Sequence, residues 1–193
     1  MANSAKNKGD RNELAAVRYL IETAPELISV KKPERKLGAG RREDVGDLHV
    51  YTDTAIQVRA LADMGKAVRS SAADAVVQAG HGDMAFALGM VPVPRARKEQ
   101  VTWLACVAVD HWPVPVEPVA EFGSIGKALA WVRDDTGPHG FRPWPREERI
   151  GLLSGQGTPA LIAPMAAWLS AYAAALSRQP QLRAVQAGAG AAA

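Results

Sequence analysis

Three polar side chains in two adjacent predicted strands are of the types that perform metal-assisted chemistry. The first strand, residues 45–51, carries Asp47, and the second, residues 55–59, carries Gln57 and Arg59 on one face with apolar residues on the other. A tight turn between the strands would pair them and bring a carboxylate, a carboxamide and a guanidinium to one patch. Carboxylate and carbonyl oxygens bind hard divalent cations and a guanidinium binds phosphate, so the patch predicts phosphodiester chemistry.

A second carboxylate, Glu13, lies on the first predicted helix. We expect this helix to begin at Asp10 as N-cap, with Glu13 three residues later as in a capping box, and to end before Pro25. In a helical projection of about 100° per residue, Glu13 falls within the apolar arc that holds Val17 and Leu20. A carboxylate there is costly to bury unless it is paired or bound to metal. Glu13 is therefore both a cap partner and a candidate functional carboxylate.

A cationic segment leads into the strand that carries Asp47. Residues 31–42 contain six basic residues, one acidic residue and two glycines, and they follow a predicted strand at residues 26–32. Such a run is usually a solvated loop, but its position would allow it to hold phosphates beside the patch. The candidate DNA-binding residues are Lys8, Lys31, Lys32, Arg35, Lys36, Arg41 and Arg42.

The order of the predicted elements gives the fold class. After the hairpin, residues 60–79 predict a helix with one apolar face, residues 84–91 a strand, and residues 100–109 a buried strand. The order is then helix, three strands, helix and two strands. This order predicts an α/β core with a small mixed β-sheet flanked by helices.

The last third of the chain differs in composition. Residues 111–118 are a proline-rich connector, residues 124–135 predict a short helix, and residues 159–177 predict an alanine-rich helix. We therefore expect two units, a core over residues 1–110 and an α-rich C-terminal extension over residues 111–193. The extension either packs back on the core or serves as an arm for a partner or a second copy.

Three short motifs follow one another in the first part of the chain, and each precedes or lies within a predicted element. They are Lys8-Gly9-x-x-x-Glu13, Gly46-Asp47 and Ile56-Gln57-Val58-Arg59. Their order and spacing resemble the PD-(D/E)XK nuclease superfamily, and are most similar to archaeal and phage-type Holliday junction resolvases, over roughly residues 6–109. The resemblance implies a restriction-endonuclease-like core, Mg²⁺ or Mn²⁺ as the cofactor, and Glu13, Asp47 and Gln57 as its ligands. It also implies that Arg59 stands at the position of the catalytic lysine.

Two positions depart from the pattern of that superfamily. Gln57 replaces an acid with a neutral carbonyl oxygen, and Arg59 replaces lysine with a guanidinium that can clamp phosphate but cannot serve as a base. Two functions are therefore compatible with the sequence. One is a metal-dependent endonuclease that cuts branched or double-stranded DNA. The other is a catalytically inactive nuclease-fold module that serves as a structural or DNA-binding part of a phage particle or another large assembly.

Charge and composition bound the partners and the compartment. The net charge of +3 and the sequence pI near 9.2 are compatible with a nucleic-acid partner. The single cysteine, Cys106, excludes an intrachain disulfide and favours a cytoplasmic setting, either in a host cell or in a virion. Residues 150–177 lack charge but contain proline, glycine and much alanine, so they predict a packed or oligomer-forming helix and no membrane partner.

Overall fold

The computed structural model describes residues 3–36, 46–96, 101–133, 149–155 and 157–190. The helices within these ranges are α1 (Asn3–Thr23), α2 (Met64–His81), α3 (Ile125–Arg133) and α4 (Met165–Gly190). The strands are β1 (Glu34–Arg35), β2 (Leu48–His49), β3 (Thr54–Val58), β4 (Phe86–Pro92), β5 (Trp103–Ala108), β6 (Ala120–Phe122), β7 (Gly151–Leu153) and β8 (Ala160–Pro164).

All of these strands belong to one mixed sheet in the order β1-β2-β3-β4-β5-β8-β7-β6. The β3–β4 and β6–β7 pairs are parallel, and the other neighbours are antiparallel. The parallel β3–β4 pair is joined by α2, as a parallel connection requires a crossover. The protein is therefore an α/β protein, which confirms the predicted class at that level.

Helices cover both faces of the sheet. Buried residues of α1 and α4 pack with Ile56, Val58 and Met90 in one apolar cluster. Buried residues of α2 and α3 pack with Leu104 and Ile162 in a second cluster on the other face. Because both faces are covered, β3 and β8 are buried along their whole length and carry apolar residues on both sides.

From the hairpin to β5 the predicted order of elements is confirmed, but the start of the first helix and the position of the first strand are wrong. Helix α1 begins at Asn3, so Asp10 and Glu13 lie in its interior and do not form a capping box. Gly9 lies inside the helix, because a single glycine costs a helix interior only about 1 kcal/mol. Residues 26–32 do not form a strand, because Pro25 opens a short 3₁₀ turn and pairing begins only at Glu34.

The prediction of one alanine-rich helix over residues 159–177 is also wrong at its start. Residues 160–164 form β8, which pairs with β5, and α4 begins at Met165. The helix propensity of alanine is outweighed here, because Leu161 and Ile162 fill buried positions on opposite faces of the sheet. With β6 and β7, this segment adds three strands to the sheet that contains the hairpin, so the expected α-rich extension is a mixture of strands and helices.

Candidate functional site

The predicted hairpin is present, and it places Asp47 beside the end of β3. Strands β2 and β3 pair antiparallel with Leu48 opposite Ile56, and the Asp47 amide donates to the Ile56 carbonyl at 2.8 Å. Gly46 precedes Asp47 with a φ of +107°, and a Cβ at this position would lie 3.1 Å from the Ile56 backbone nitrogen. Glycine at position 46 therefore allows the close backbone approach that sets the position of Asp47.

The Asp47 carboxylate accepts hydrogen bonds from two residues of β3. Its Oδ2 accepts hydrogen bonds from the Val58 amide at 2.8 Å and from Gln57 Nε2 at 2.5 Å. Arg59 Nη1 lies 3.8 Å from the same oxygen. The three residues predicted to converge on one patch therefore do so, with the carboxylate at the centre.

Gln57 contacts Asp47 through its nitrogen, whereas the predicted metal ligand is its carbonyl oxygen. The side chain is 1% exposed, and Oε1 is buried without a hydrogen-bond partner among the described residues. The orientation of the Gln57 amide is assigned from this hydrogen bond, because only its nitrogen can donate to a carboxylate. A ligand role for Gln57 stays a prediction that requires the amide to turn.

Arg59 also binds a residue that the sequence did not suggest. Its Nε and Nη2 donate to Asp74 Oδ2 on α2, at 3.2 and 2.8 Å. In a helical projection, Asp74 lies mostly away from the apolar face of α2, and no sequence motif marks it. Its contact with Arg59 follows from the crossover of α2 over β3, which is a tertiary feature.

Glu13 reaches the same region from α1. Arg35 Nη1 lies 3.4 Å from Glu13 Oε2 and 2.6 Å from Asp10 Oδ1, so one guanidinium ties two acids of α1 to β1. The Glu13 side chain is 22% exposed. Burial and, second, the charge of Asp47 raise the pKa of Glu13, and Arg35 only partly offsets this effect. Glu13 and Asp47 are therefore close enough for their charges to interact.

A cavity of about 300 Å³ separates α1 from the end of β3. Glu13 and Arg59 line it together with Gly9, Asn12, Val58, Ala60 and Leu61. One side of the cavity therefore carries a carboxylate and the other a guanidinium that contacts Asp47. The cavity has the charges needed to receive a phosphate together with a cation.

A magnesium site with Glu13 and Asp47 as ligands stays a prediction. Among the described residues, no group of three or more His, Cys, Asp or Glu side chains is arranged to hold a metal ion. Mg²⁺ is commonly bound through one or two carboxylates plus water and substrate phosphate. Glu13 and Asp47 supply two carboxylates with mutual repulsion, which fits this pattern.

The candidate DNA-binding residues divide into several groups. Lys31 is exposed, and Lys32 is exposed with its Nζ 3.3 Å from Glu34. Arg35 is bound to α1, and the Lys36 amide donates to the Asp47 carbonyl at 2.7 Å. Lys36, the last described residue of this segment, therefore lies beside Asp47. Arg41, Arg42 and the side chain of Lys8 lie outside the described residues.

Comparison with known proteins gives no relative: no family model, no curated protein and no solved structure matches this chain. The fold and the site therefore define the protein as an α/β protein with a mixed sheet of eight described strands and a cavity at the end of β3 that Glu13 and Arg59 line. Within the described ranges, no helix combines the length and the apolar character needed to span a membrane.

The raised pKa of Glu13 gives a pH-dependent stability. A carboxyl group whose pKa is higher in the folded state binds more protons there, so stability falls as pH rises from the ordinary glutamate range through the raised pKa. We expect Glu13→Gln to increase the free energy of unfolding at neutral pH, and this gain to disappear in acid. Urea unfolding between pH 4 and pH 8 measures the difference, with the exposed Glu22→Gln on the same helix as control. A Glu13→Gln variant less stable than wild type at pH 7 would mean that the Arg35 pairing dominates.

Proposed function

We propose that the protein is a metal-dependent DNA endonuclease, similar to Holliday junction resolvases, that hydrolyses phosphodiester bonds in branched or double-stranded DNA. The observation that carries the proposal is that Glu13 and Arg59 line one cavity at the end of β3, with Asp47 Oδ2 3.8 Å from Arg59 Nη1. These residues come from the motifs that suggested a restriction-endonuclease-like core. The order α1, three strands, α2 and β4 is the order expected for that core from the sequence.

Glu13 and Asp47 are the residues that would hold Mg²⁺ or Mn²⁺. Such an ion supplies a bound water of lowered pKa and offsets charge on the scissile phosphate. Burial first and the charge of Asp47 second raise the pKa of Glu13, and a divalent cation bound by both carboxylates would offset that repulsion. Arg35 keeps Glu13 in place from β1.

Arg59 acts on the phosphate and takes no part in proton transfer. A guanidinium stays protonated at any working pH and donates hydrogen bonds to phosphate oxygens. Placed at the cavity wall, it stabilises the negative charge that develops on the phosphorus-bound oxygens. Of the candidate DNA-binding residues, the exposed Lys31 and Lys32 would hold the DNA backbone, and binding should weaken as salt rises. Assembly as a homo-oligomer through residues 111–193 stays a prediction.

One observation favours the second candidate, a catalytically inactive nuclease-fold module. Asp47 Oδ2 already accepts bonds from Val58 and Gln57, and Arg59 already pairs with Asp74. In this arrangement the guanidinium takes the place of a cation next to Asp47. A module of this kind would bind DNA or a partner without cutting.

The two candidates are separated by cleavage assays on a four-way junction and on linear duplex of the same sequence. The enzyme hypothesis predicts cleavage with Mg²⁺ or Mn²⁺ and none with EDTA. Arg59→Lys tests the second candidate. If the wild-type protein does not cut DNA and the Arg59→Lys variant does, the protein is a nuclease that has lost its activity. DNA binding without cleavage by either protein, in any metal, contradicts the enzyme hypothesis.

A further inference from the structure

Arg59, which lines the cavity, forms an ion pair with Asp74 of α2. Both Arg59 Nε and Nη2 donate to one oxygen of Asp74, at 3.2 and 2.8 Å. The remaining terminal nitrogen, Nη1, is turned to the Val58 carbonyl at 3.5 Å and lies 3.8 Å from Asp47 Oδ2. One guanidinium therefore joins α2, the end of β3 and the carboxylate of the hairpin.

Two donors on one acceptor fix the plane of the guanidinium. A lone arginine at a cavity wall has many rotamers, and ordering it costs conformational entropy when phosphate binds. With Nε and Nη2 held by Asp74, the third nitrogen, Nη1, is fixed near the Val58 carbonyl and Asp47 before any ligand arrives. Such preorganisation is the usual source of electrostatic transition-state stabilisation.

The position of Asp74 is set by close packing of α2 on the sheet. A Cβ added to Gly89 in β4 would lie 2.5 Å from Ser71 Oγ and 2.8 Å from the Ser71 backbone carbon. One turn further along α2, Ala75 packs on Ala55 of β3. These contacts fix where α2 packs on the β3–β4 pair. They therefore also fix the position of Asp74 on this helix.

We infer that Asp74 is a positioning residue that holds Arg59 in the orientation needed to bind the scissile phosphate. The inference rests on the proposed function, because the orientation of Arg59 affects the reaction only if phosphate binds in this cavity. Arg59 and Asp74 side chains are 34% and 42% exposed, and ion pairs of such exposure contribute little to folding stability. An effect of Asp74 on catalysis can thus be separated from an effect on the fold.

The kinetic test compares Asp74→Asn, Asp74→Glu and a matched control, Asp110→Asn, at an exposed site beyond β5. We expect Asp74→Asn to lower kcat on the four-way junction about 10-fold with a smaller change in KM, since supporting residues of a site commonly contribute 10- to 100-fold. Asp74→Glu should recover most of the loss, and all three variants should keep the wild-type unfolding midpoint. A wild-type kcat for Asp74→Asn overturns the inference.

A second measurement does not depend on cleavage. The Arg59 Nε–H should give a slowly exchanging resonance in nitrogen–proton NMR spectra, assigned by its loss in Arg59→Lys. It should disappear in Asp74→Asn and return in Asp74→Glu. If the wild-type protein does not cut DNA, the proposed function fails while this resonance still decides whether Asp74 fixes Arg59. A resonance that survives unchanged in Asp74→Asn overturns the positioning role in either case.

Discussion

Asp47→Asn is expected to reduce metal-dependent cleavage at least about 100-fold, the largest effect of any single change at the site. Residues that only support a metal ligand contribute 10- to 100-fold, so loss of a ligand charge should exceed that range. Asparagine keeps the shape of the side chain and one acceptor oxygen for the Val58 amide. The fold should therefore survive the change while the affinity for the cation falls.

Asp47→Ala tests the structural role of Asp47 separately from the role of its charge. Alanine leaves the Val58 amide and the buried Gln57 amide without the acceptor that both use. A buried donor left unsatisfied costs about 1–3 kcal/mol, so Asp47→Ala should also lower the unfolding midpoint whereas Asp47→Asn should lower it less. Cleavage rates with a Mg²⁺ titration, together with thermal unfolding, measure both effects, and Asp110→Asn is the control.

The metal titration gives the result that would contradict this prediction. If Asp47→Asn cuts at the wild-type rate, or recovers fully at the same Mg²⁺ concentration, Asp47 does not bind the ion. Glu13, which lines the cavity, would then be the one remaining predicted carboxylate ligand. The result would then favour the second candidate, a module that binds DNA or a partner without cutting.

The hairpin and its polar face could be predicted because the necessary information is local. Gly46 permits the backbone approach, and alternation along β3 puts Gln57 and Arg59 on the side opposite Ile56 and Val58. Glu13 was also placed correctly on the side of α1 that faces the sheet, because its helical phase does not depend on where the helix begins. These features depend on periodicity, which survives errors in element boundaries.

The partner of Arg59 could not be predicted, for a physical reason. Asp74 contacts Arg59 only because α2 packs on the sheet at one particular distance. That distance is set by the close contact between Ser71 on α2 and Gly89 on β4. Strand β8 escaped prediction in a similar way, because an alanine-rich run favours a helix until burial between β5 and β7 decides otherwise. In both cases the deciding contacts are distant in sequence.

Gly89→Ala should test whether the packing of α2 on the sheet supports the fold and, with it, the site. The added methyl would lie 2.8 Å from the Cys106 carbonyl and from the Ser71 backbone carbon, as well as 2.5 Å from Ser71 Oγ. Two of these three atoms are backbone, so a side-chain rotation cannot relieve the contact. Overpacking of this kind costs about 3 kcal/mol, which corresponds to a fall in Tm of about 6–12 °C for a chain of this length.

The matched control lies on the same helix. A Cβ at Gly80 would meet no atom within 4 Å, so Gly80→Ala should leave Tm unchanged or raise it slightly through helix propensity. Ser71→Ala combined with Gly89→Ala should recover only part of the loss, because the backbone contacts persist. Since a displaced α2 carries Asp74 away from Arg59, the Arg59 Nε–H resonance should weaken in Gly89→Ala but not in Gly80→Ala. A Gly89→Ala protein with wild-type Tm and an unchanged resonance would show that α2 can shift without consequence, and that the position of Arg59 is set by β3 alone.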